Sequence, residues 1–435
     1  MEALLWFGAF IGALVFLLSL RIPVAVSMGL IGIAGTAIFV SPRAVVQIAN
    51  IAYSHTWSFV LVIVPLFVLM GEVIAISGLG AALFRAAAIW LRRLPGGLAI
   101  GTIAASAGFA SVCGSSPITA ATIGSMAVPE MIKHGYAKGL AAGATAAGGT
   151  LGILIPPSVP MILYGVITET SIGGLFLAGI LPGLMMATLL SASVILQVVM
   201  NPAKAPPLTG RVSFTERMSA SAEALPTVLI ALMIIGTLYA GVASPSETGA
   251  FGAVAAVIVA VAMGRLKFRS LRTALEKTVR TTGMFMLLLV GGLFSSFILT
   301  RLGVPQEISN YLTGLDVAPW VIIVMINVLL LIMGMFLDPL SILVIIVPIF
   351  VDTIVGLGYD PIWFGIVVTI QIEIAAITPP VGLNLFVLRT VVPDLSLADT
   401  ARGALSFVLP MLVGIVLLMV FPQIALVLPE LAFGR

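Results

Sequence analysis

A proline inside a helix deletes one backbone hydrogen bond and collides with the carbonyl four residues earlier. This chain sets two prolines side by side within a long apolar segment, and does so twice: Pro156-Pro157 in GTLGILIPPSVPMILYG and Pro379-Pro380 in IEIAAITPPVGLNLFV. The pairs lie 379 − 156 = 223 residues apart, and Gly135-Tyr136 and Gly358-Tyr359 recur at the same interval, 358 − 135 = 223. Pro23 and Pro245 differ by 222, as do Pro117 and Pro339. One half therefore reads as a diverged copy of the other, and each copy breaks a helix at the corresponding place.

Those helices belong in a membrane. The chain is 60% apolar and 9% charged, with mean hydropathy +1.24, whereas a soluble domain carries about 25% charge. Uninterrupted apolar runs such as Leu4 to Leu20 and Val24 to Val40 indicate spanning helices rather than the alternating segments of an outer-membrane barrel. The net charge of +3 then bears on orientation and not on nucleic acid. A single cysteine, Cys113, excludes an internal disulfide framework and a Cys-rich metal site. The N-terminus MEALLWFGAF lacks a basic region, so a retained first span is expected rather than a cleaved signal peptide.

The expected fold class is an all-α polytopic membrane protein built from inverted repeats. Residues 1–200 form the first repeat, with an interrupted segment at about 98–132 and a broken helix at about 139–168. A cytoplasmic linker spans 201–223, and the second repeat, 224–435, has its interrupted segment at about 319–357 and its broken helix at about 361–391. Charge placement argues for inversion, because cytoplasmic loops are enriched in Lys and Arg. The linker (Lys204, Arg211, Arg217) and the segment Arg265 to Arg280 are basic, and the turn between them at 244–247 carries only Glu247. Its counterpart in the first half is the basic Arg21, and Lys133 and Lys138 oppose Asp352 and Asp360 in the same way. Opposite polarity at matching positions is the arrangement of many secondary transporters. Trp6, Trp57, Trp90, Trp320 and Trp363 all fall near predicted span ends, as an aromatic belt requires.

Segment 98–132 is cut at Cys113-Gly-Ser-Ser-Pro117 into arms of roughly 23 Å at 1.5 Å per residue, short of a hydrocarbon core of roughly 30 Å. Basic residues flank both ends, which makes it a re-entrant hairpin with its tip near the midplane. Segment 319–357, turning at Gly334 to Pro339, is the matching hairpin from the other side, with two ordinary spans as the competing reading. Non-helical backbone at this depth must be buried in protein or line an aqueous cavity. Its free carbonyls and hydroxyls suit a hard cation, and half-helix N-termini suit an anion. The sequence thus provides two pseudo-symmetric places where a cation such as Na⁺ could bind, with an anionic substrate between them, and the doubled prolines read as functional breaks rather than kinks.

The chain resembles the large membrane (M) subunit of TRAP transporters, the tripartite ATP-independent periplasmic transporters, over nearly its whole length. The resemblance rests on GTLGILIPPSVPMILYG (149–165), SIGGLFLAGILPG (171–183), GMFLDPLSILVIIVP (334–348) and ITPPVGLNLFV (377–387). Gly241 to Thr248 is similar to the family's G-x-x-T-P-T-E turn with Ser for Thr at two positions, and Cys113 replaces the first Ser of a Ser-Gly-Ser run. The resemblance implies an elevator: a scaffold carries a mobile domain of two hairpins and two unwound helices. It also implies Na⁺-driven import of an organic acid delivered by a periplasmic substrate-binding protein (P), with a separate small four-helix subunit (Q), as in the unfused form. Carried over by motif, the first Na⁺ site would use Ser115, Gly152, Leu154 and Pro157, mostly through carbonyls. The second would use Asp338, Thr378, Val381 and Gly382, and substrate would lie near Ser116, Ser158 and Asn384. No organic cofactor is implied.

Individual charges have competing readings. Asp338 is a cation ligand or the partner of an Arg, since an isolated carboxylate at depth is costly. Glu373 either satisfies amides freed at the break or takes part in coupling. Arg389 snorkels to the cytoplasmic surface or meets a substrate carboxylate, and Glu247 caps a helix start after Pro245. His55 and His134 are lone interfacial residues and are not expected to be ligands. No HExxH, GxSxG or Walker A pattern is present, so hydrolysis and nucleotide-driven transport have no visible machinery. The runner-up is a stand-alone dicarboxylate-type Na⁺ elevator that takes its substrate directly from solution.

Overall fold

The structure, a computed structural model, describes residues 2–208 and 212–434; Arg211 lies outside the described residues, as does the side chain of His55. All regular structure among them is helical. The first half runs α1 (Glu2–Ser19), α2 (Val24–Gly35, continued by a π-helical turn Thr36–Val40), α3 (Val45–Thr56), α4 (Ile63–Ile76) and α5 (Leu79–Leu91). It continues with α6 (Gly97–Cys113), α7 (Ser116–Lys133), α8 (Lys138–Leu154), α9 (Val159–Thr168) and α10 (Ile172–Met200). The second half comprises α11 (Phe214–Tyr239), α12 (Pro245–Ala262), α13 (Phe268–Arg301), α14 (Val304–Thr313), α15 (Pro319–Gly334) and α16 (Pro339–Gly356). It ends with α17 (Pro361–Ala376), α18 (Leu383–Val391), α19 (Leu397–Val420) and α20 (Gln423–Phe433). Among the described residues seven helices are long and apolar enough to cross a membrane, and α8 with α9, bent by 41°, would make an eighth.

From α5 to α10 and from α14 to α19 the order of elements is the same. A short amphipathic helix (α5, α14) precedes a helix pair joined by a tight turn (α6–α7, α15–α16), then a broken helix (α8–α9, α17–α18), then a long helix (α10, α19). The expected linker 201–223 is shorter than the polar composition suggests, because Ser213 caps α11 by accepting from the Glu216 amide at 3.1 Å. The first turns of α11 are thus helical and polar, and they hold α5. Arg85 pairs with Glu223 at 3.0 Å, Trp90 Nε1 donates to Ser221 Oγ at 2.9 Å, and the Arg217 guanidinium sits 5.4 Å from the Trp90 ring centre. Glu247 does cap α12: its carboxylate accepts from the Ser244 amide at 2.7 Å while Ser244 Oγ accepts from the Glu247 amide at 3.3 Å.

Helix association in lipid depends on close packing by small residues, and this chain uses them at two seams. Between α2 and α13, a Cβ on Gly291 would lie 2.2 Å from the Ala25 carbonyl and one on Gly32 2.5 Å from the Phe294 carbonyl carbon; Ser295 Oγ adds a hydrogen bond to the Met28 carbonyl at 2.8 Å. Between α8 and α19, a Cβ on Gly403 would lie 1.9 Å from the Gly139 carbonyl. Large apolar side chains face outward instead: Leu225, Leu229 and Leu232 on α11 and Val254, Ile258 and Val261 on α12 are half or more exposed, a surface that suits lipid. The two helices that lead into the diproline breaks are the opposite case. Every residue of α8 from Leu140 to Leu154 and of α17 from Ile362 to Ala376 is buried.

Candidate functional site

Both prolines of each pair interrupt their helix, so neither segment is a continuous kinked span. In the first half the gap is Ile155 to Ser158, all buried, and Ser158 restarts α9 by accepting from the Met161 amide at 3.3 Å. The α6–α7 turn lies directly against it. Gly114 holds φ +67°, a conformation that favours glycine, and a Cβ there would be 2.7 Å from the Pro157 carbonyl oxygen. A Cβ on Gly152 would be 2.7 Å from both the Ser115 carbonyl and Thr119 Oγ1. Ser115, Gly152 and Pro157 of the first expected cation set therefore converge, and Leu154 joins them in sequence with its carbonyl against Gly179 of α10. Thr119 is an oxygen that sequence reasoning missed. Its hydroxyl donates to the Ser115 carbonyl at 2.8 Å, and its position one turn past the tip was the available signal.

In the second half the gap runs from Ile377 to Gly382 and reaches the surface at Pro380 and Val381. The Val381 amide donates to the Met335 carbonyl of the α15–α16 turn at 3.3 Å, so turn and break meet here too. Thr378 Oγ1 donates to the Ile374 carbonyl at 2.6 Å, which leaves its oxygen lone pairs free. Gly382 takes φ +57° at the start of α18. Asp338 has a role beside the two that the sequence offered. It is the N-cap of α16, accepting from the amides of Leu340 at 3.1 Å and Ser341 at 3.2 Å and from the Ser341 hydroxyl.

The three expected substrate residues fall into two groups. Ser158 is fully buried and works as a cap. Ser116 and Asn384 belong to α7 and α18, which pack side by side: a Cβ on Gly124 would lie 2.4 Å from Leu388 Cδ1. Both helices begin without a side-chain cap, at Ser115 and at Gly382. Asn384 stands one turn before Leu388 on α18, and Ser116 two turns before Gly124 on α7. Asn384 is fully buried and neither atom of its amide has a hydrogen-bond partner. Ser116 Oγ donates to Glu373 Oε1 at 2.6 Å, while Glu373 Oε2 has no partner.

The remaining candidates lie elsewhere. Arg389 is exposed in the last turn of α18, where a cation suits the carbonyl end of the helix. His134 Nδ1 sits 2.9 Å from the Glu130 carbonyl at the end of α7. Among the described residues no three His, Cys, Asp or Glu side chains group as a metal site. A second buried carboxylate, Glu72 on α4, was not singled out from sequence. Lys277 of α13 reaches it at 3.2 Å, although the angle falls outside hydrogen-bond geometry. A cavity of about 800 Å³ between the α9–α10 and α11–α12 turns includes Glu169, Thr170, Ser244 and Ser246 in its wall. No Lys or Arg lines it among the described residues.

Comparison with known proteins agrees with this architecture. The family model described as "Tripartite ATP-independent periplasmic transporter, DctM component" matches residues 11–424. The C4-dicarboxylate TRAP transporter large permease protein DctM of Pseudomonas aeruginosa is 36% identical over 405 residues, covering 93% of this chain and 94% of the relative. The sialic acid TRAP transporter large permease protein SiaM of Vibrio cholerae is 32% identical, covering 87% of this chain and 88% of the relative. Among solved structures, the YdaH transporter of Alcanivorax borkumensis shares the fold with TM-score 0.61 at 15% identity, covering 91% of this chain and 90% of that one. The relatives are named as transporter permeases and not as enzymes. This chain belongs to the DctM family: it is the large permease subunit of a TRAP-type secondary transporter, a multi-pass protein of the inner membrane.

Proposed function

We propose that this subunit imports a small organic acid anion, driven by Na⁺, through an elevator movement. The two halves are inverted repeats, and α6–α7 and α15–α16 are re-entrant hairpins entering from opposite sides. The observation that carries this reading is the pairing of each turn with its own break, Gly114 against Pro157 and Met335 against Val381, at the ends of two helices buried from Leu140 to Leu154 and from Ile362 to Ala376. Backbone left unpaired at that depth costs several kcal/mol per group unless something binds it.

Na⁺ is bound at the first crossing by oxygens of Ser115, Gly152, Leu154 and Pro157. At the second it is bound by Thr378, Val381, Gly382 and Asp338, whose carboxylate also caps α16. Hard cations take such carbonyl, hydroxyl and carboxylate oxygens. The anion sits between them, its carboxylate directed at the uncapped starts of α7 and α18, which carry partial positive charge, with Ser116, Ser158 and Asn384 around it. Cations and anion together lower the net charge that the moving unit carries through the bilayer, where a bare charge is expensive. The relatives are named for C4-dicarboxylates and for sialic acid, which fits a carboxylate-bearing cargo.

The family is tripartite, which supports a small four-helix subunit and a periplasmic binding protein as the proposed partners. Reconstituted with both in proteoliposomes, the protein should take up cargo only with an inward Na⁺ gradient and liganded binding protein. Uptake that persists without either overturns this mechanism.

A further inference from the structure

We propose that the cleft between α5 and the end of α7 binds an anionic phospholipid of the inner leaflet, with its phosphate at Arg85 and Arg92 and an acyl chain along the apolar wall. This site is separate from the ion and cargo positions and does not depend on them.

The cleft encloses about 380 Å³. Its wall is apolar at Phe84, Leu98, Met126 and Leu208, and its charged or titratable residues are Arg85, Arg92, Glu130 and His134. The Ala137 amide donates to the Lys204 carbonyl at 2.8 Å, which lays the start of the linker against the end of α7. Glu130 is the one carboxylate in this wall among the described residues, and it is engaged at its own helix end, 3.4 Å from His134 Nδ1 and 4.0 Å from Lys133. Arg85 offers Nη1 to Glu223, but a guanidinium has five N–H donors, and this side chain is 61% exposed. The cleft therefore presents two guanidinium groups beside apolar surface.

Its depth fits a headgroup. Lys133 and Lys138 mark this end of α7 as the inner side by charge. Trp90, half-exposed on α5, ties its ring nitrogen to Ser221, as an interfacial aromatic anchor does. Lipid tails are as apolar as the side chains they touch, so the apolar wall admits a chain without choosing among lipids, and the choice falls to the two arginines. Basic pockets between helices on the cytoplasmic side favour anionic headgroups. A soluble anion would satisfy the arginines but leave the apolar wall uncovered.

The test uses the full chain in detergent, with native mass spectrometry and thermal-shift titration by dioleoylphosphatidylglycerol, zwitterionic dioleoylphosphatidylcholine and inorganic phosphate. The phosphatidylglycerol should bind at least about tenfold tighter than the phosphatidylcholine, and inorganic phosphate should not displace it. Arg92→Gln and Arg85→Gln should each weaken phosphatidylglycerol binding by about fivefold, the effect of one basic residue near an anionic headgroup. Arg85→Gln also loosens α5 from Glu223, so Arg92→Gln decides if the first variant melts early without lipid. Ala81→Phe adds a ring in the cleft wall while keeping every charge, and should weaken phosphatidylglycerol as much as Arg92→Gln does. Arg269→Gln removes an exposed cation of α13 outside the cleft and should leave binding unchanged. Equal binding of the two lipids overturns the proposal. So does a loss from Arg269→Gln as large as that from Arg92→Gln, or no loss from Ala81→Phe, since either means diffuse attraction to a basic face. Displacement of the lipid by inorganic phosphate would make the cleft a site for soluble anions and overturn it as well.

Discussion

The two crossings have the same elements in the same order, yet they are finished differently. In the first, the gap is buried throughout and the broken helix restarts with a cap at Ser158, while the hairpin helix α7 restarts without one. In the second, the gap opens to the surface at Pro380 and Val381, the hairpin helix α16 is capped by Asp338, and the broken helix α18 is left uncapped. Each half therefore leaves one of these helix starts uncapped, from opposite members of the pair, and the two helices concerned, α7 and α18, pack on each other. Exact two-fold repetition would have left matching starts free. On the proposed reading, the two uncapped starts receive the anion and the two flanking turns the cations.

The widest separation between the halves should come from glycine. Gly114 and Gly382 both hold positive φ, but a Cβ on Gly114 would meet the Pro157 carbonyl oxygen at 2.7 Å, whereas one on Gly382 would meet the far end of the Leu385 side chain at 2.7 Å. Left-handed backbone costs an alanine about 1–2 kcal/mol, and overpacking adds about 1–3 kcal/mol where backbone must move. Gly114→Ala should thus be the more destabilising by about 2 kcal/mol, read from unfolding of the purified proteins. Equal losses would mean that the first crossing is no tighter than the second.

Asn384→Leu comes next and separates binding from stability. A buried amide without partners costs about 1–3 kcal/mol, so its removal should leave the melting temperature unchanged or raised while cargo uptake falls by about tenfold or more, one lost charge-assisted contact. A fall in both would make Asn384 a structural residue.

Asp338 tests the capped side. Asn is as good a cap as Asp, so Asp338→Asn should preserve stability and shift the Na⁺ concentration for half-maximal uptake upward. Asp338→Ala should additionally cost about 1 kcal/mol of stability. Unchanged Na⁺ activation in the Asn variant would take Asp338 out of the cation site and leave it a cap alone. The smallest effect is expected at Val381, which is 41% exposed. Val381→Ala should change stability by no more than about 0.5 kcal/mol, as for most exposed positions, since its contribution is a backbone amide that the substitution keeps.

The sequence carried the architecture well because its signals are local or periodic: paired prolines, glycine turns, apolar runs and basic flanks each act within a few residues. It carried the site less completely. Ser115, Gly152 and Pro157 were named together through the family resemblance, and the structure places them against one another. The α11 start was hidden under polar composition, although Ser213 and Glu216 form a recognisable capping spacing. The bond between Ser116 and Glu373 and the packing of Gly124 on Leu388 join residues from different halves, and no spacing rule reports such contacts. Capping was likewise invisible, because Asp338 as a ligand and Asp338 as an N-cap are the same letter before the same proline.

The most direct test of the account is a density map of the protein with cargo and Na⁺ bound. The account predicts the anion's carboxylate at the uncapped starts of α7 and α18, within hydrogen-bond distance of Ser116 and Asn384, with cation density beside the turns at 114–115 and 378–382. An anion seated instead in the cavity between the α9–α10 and α11–α12 turns, with the α7–α18 corner closed, would contradict it.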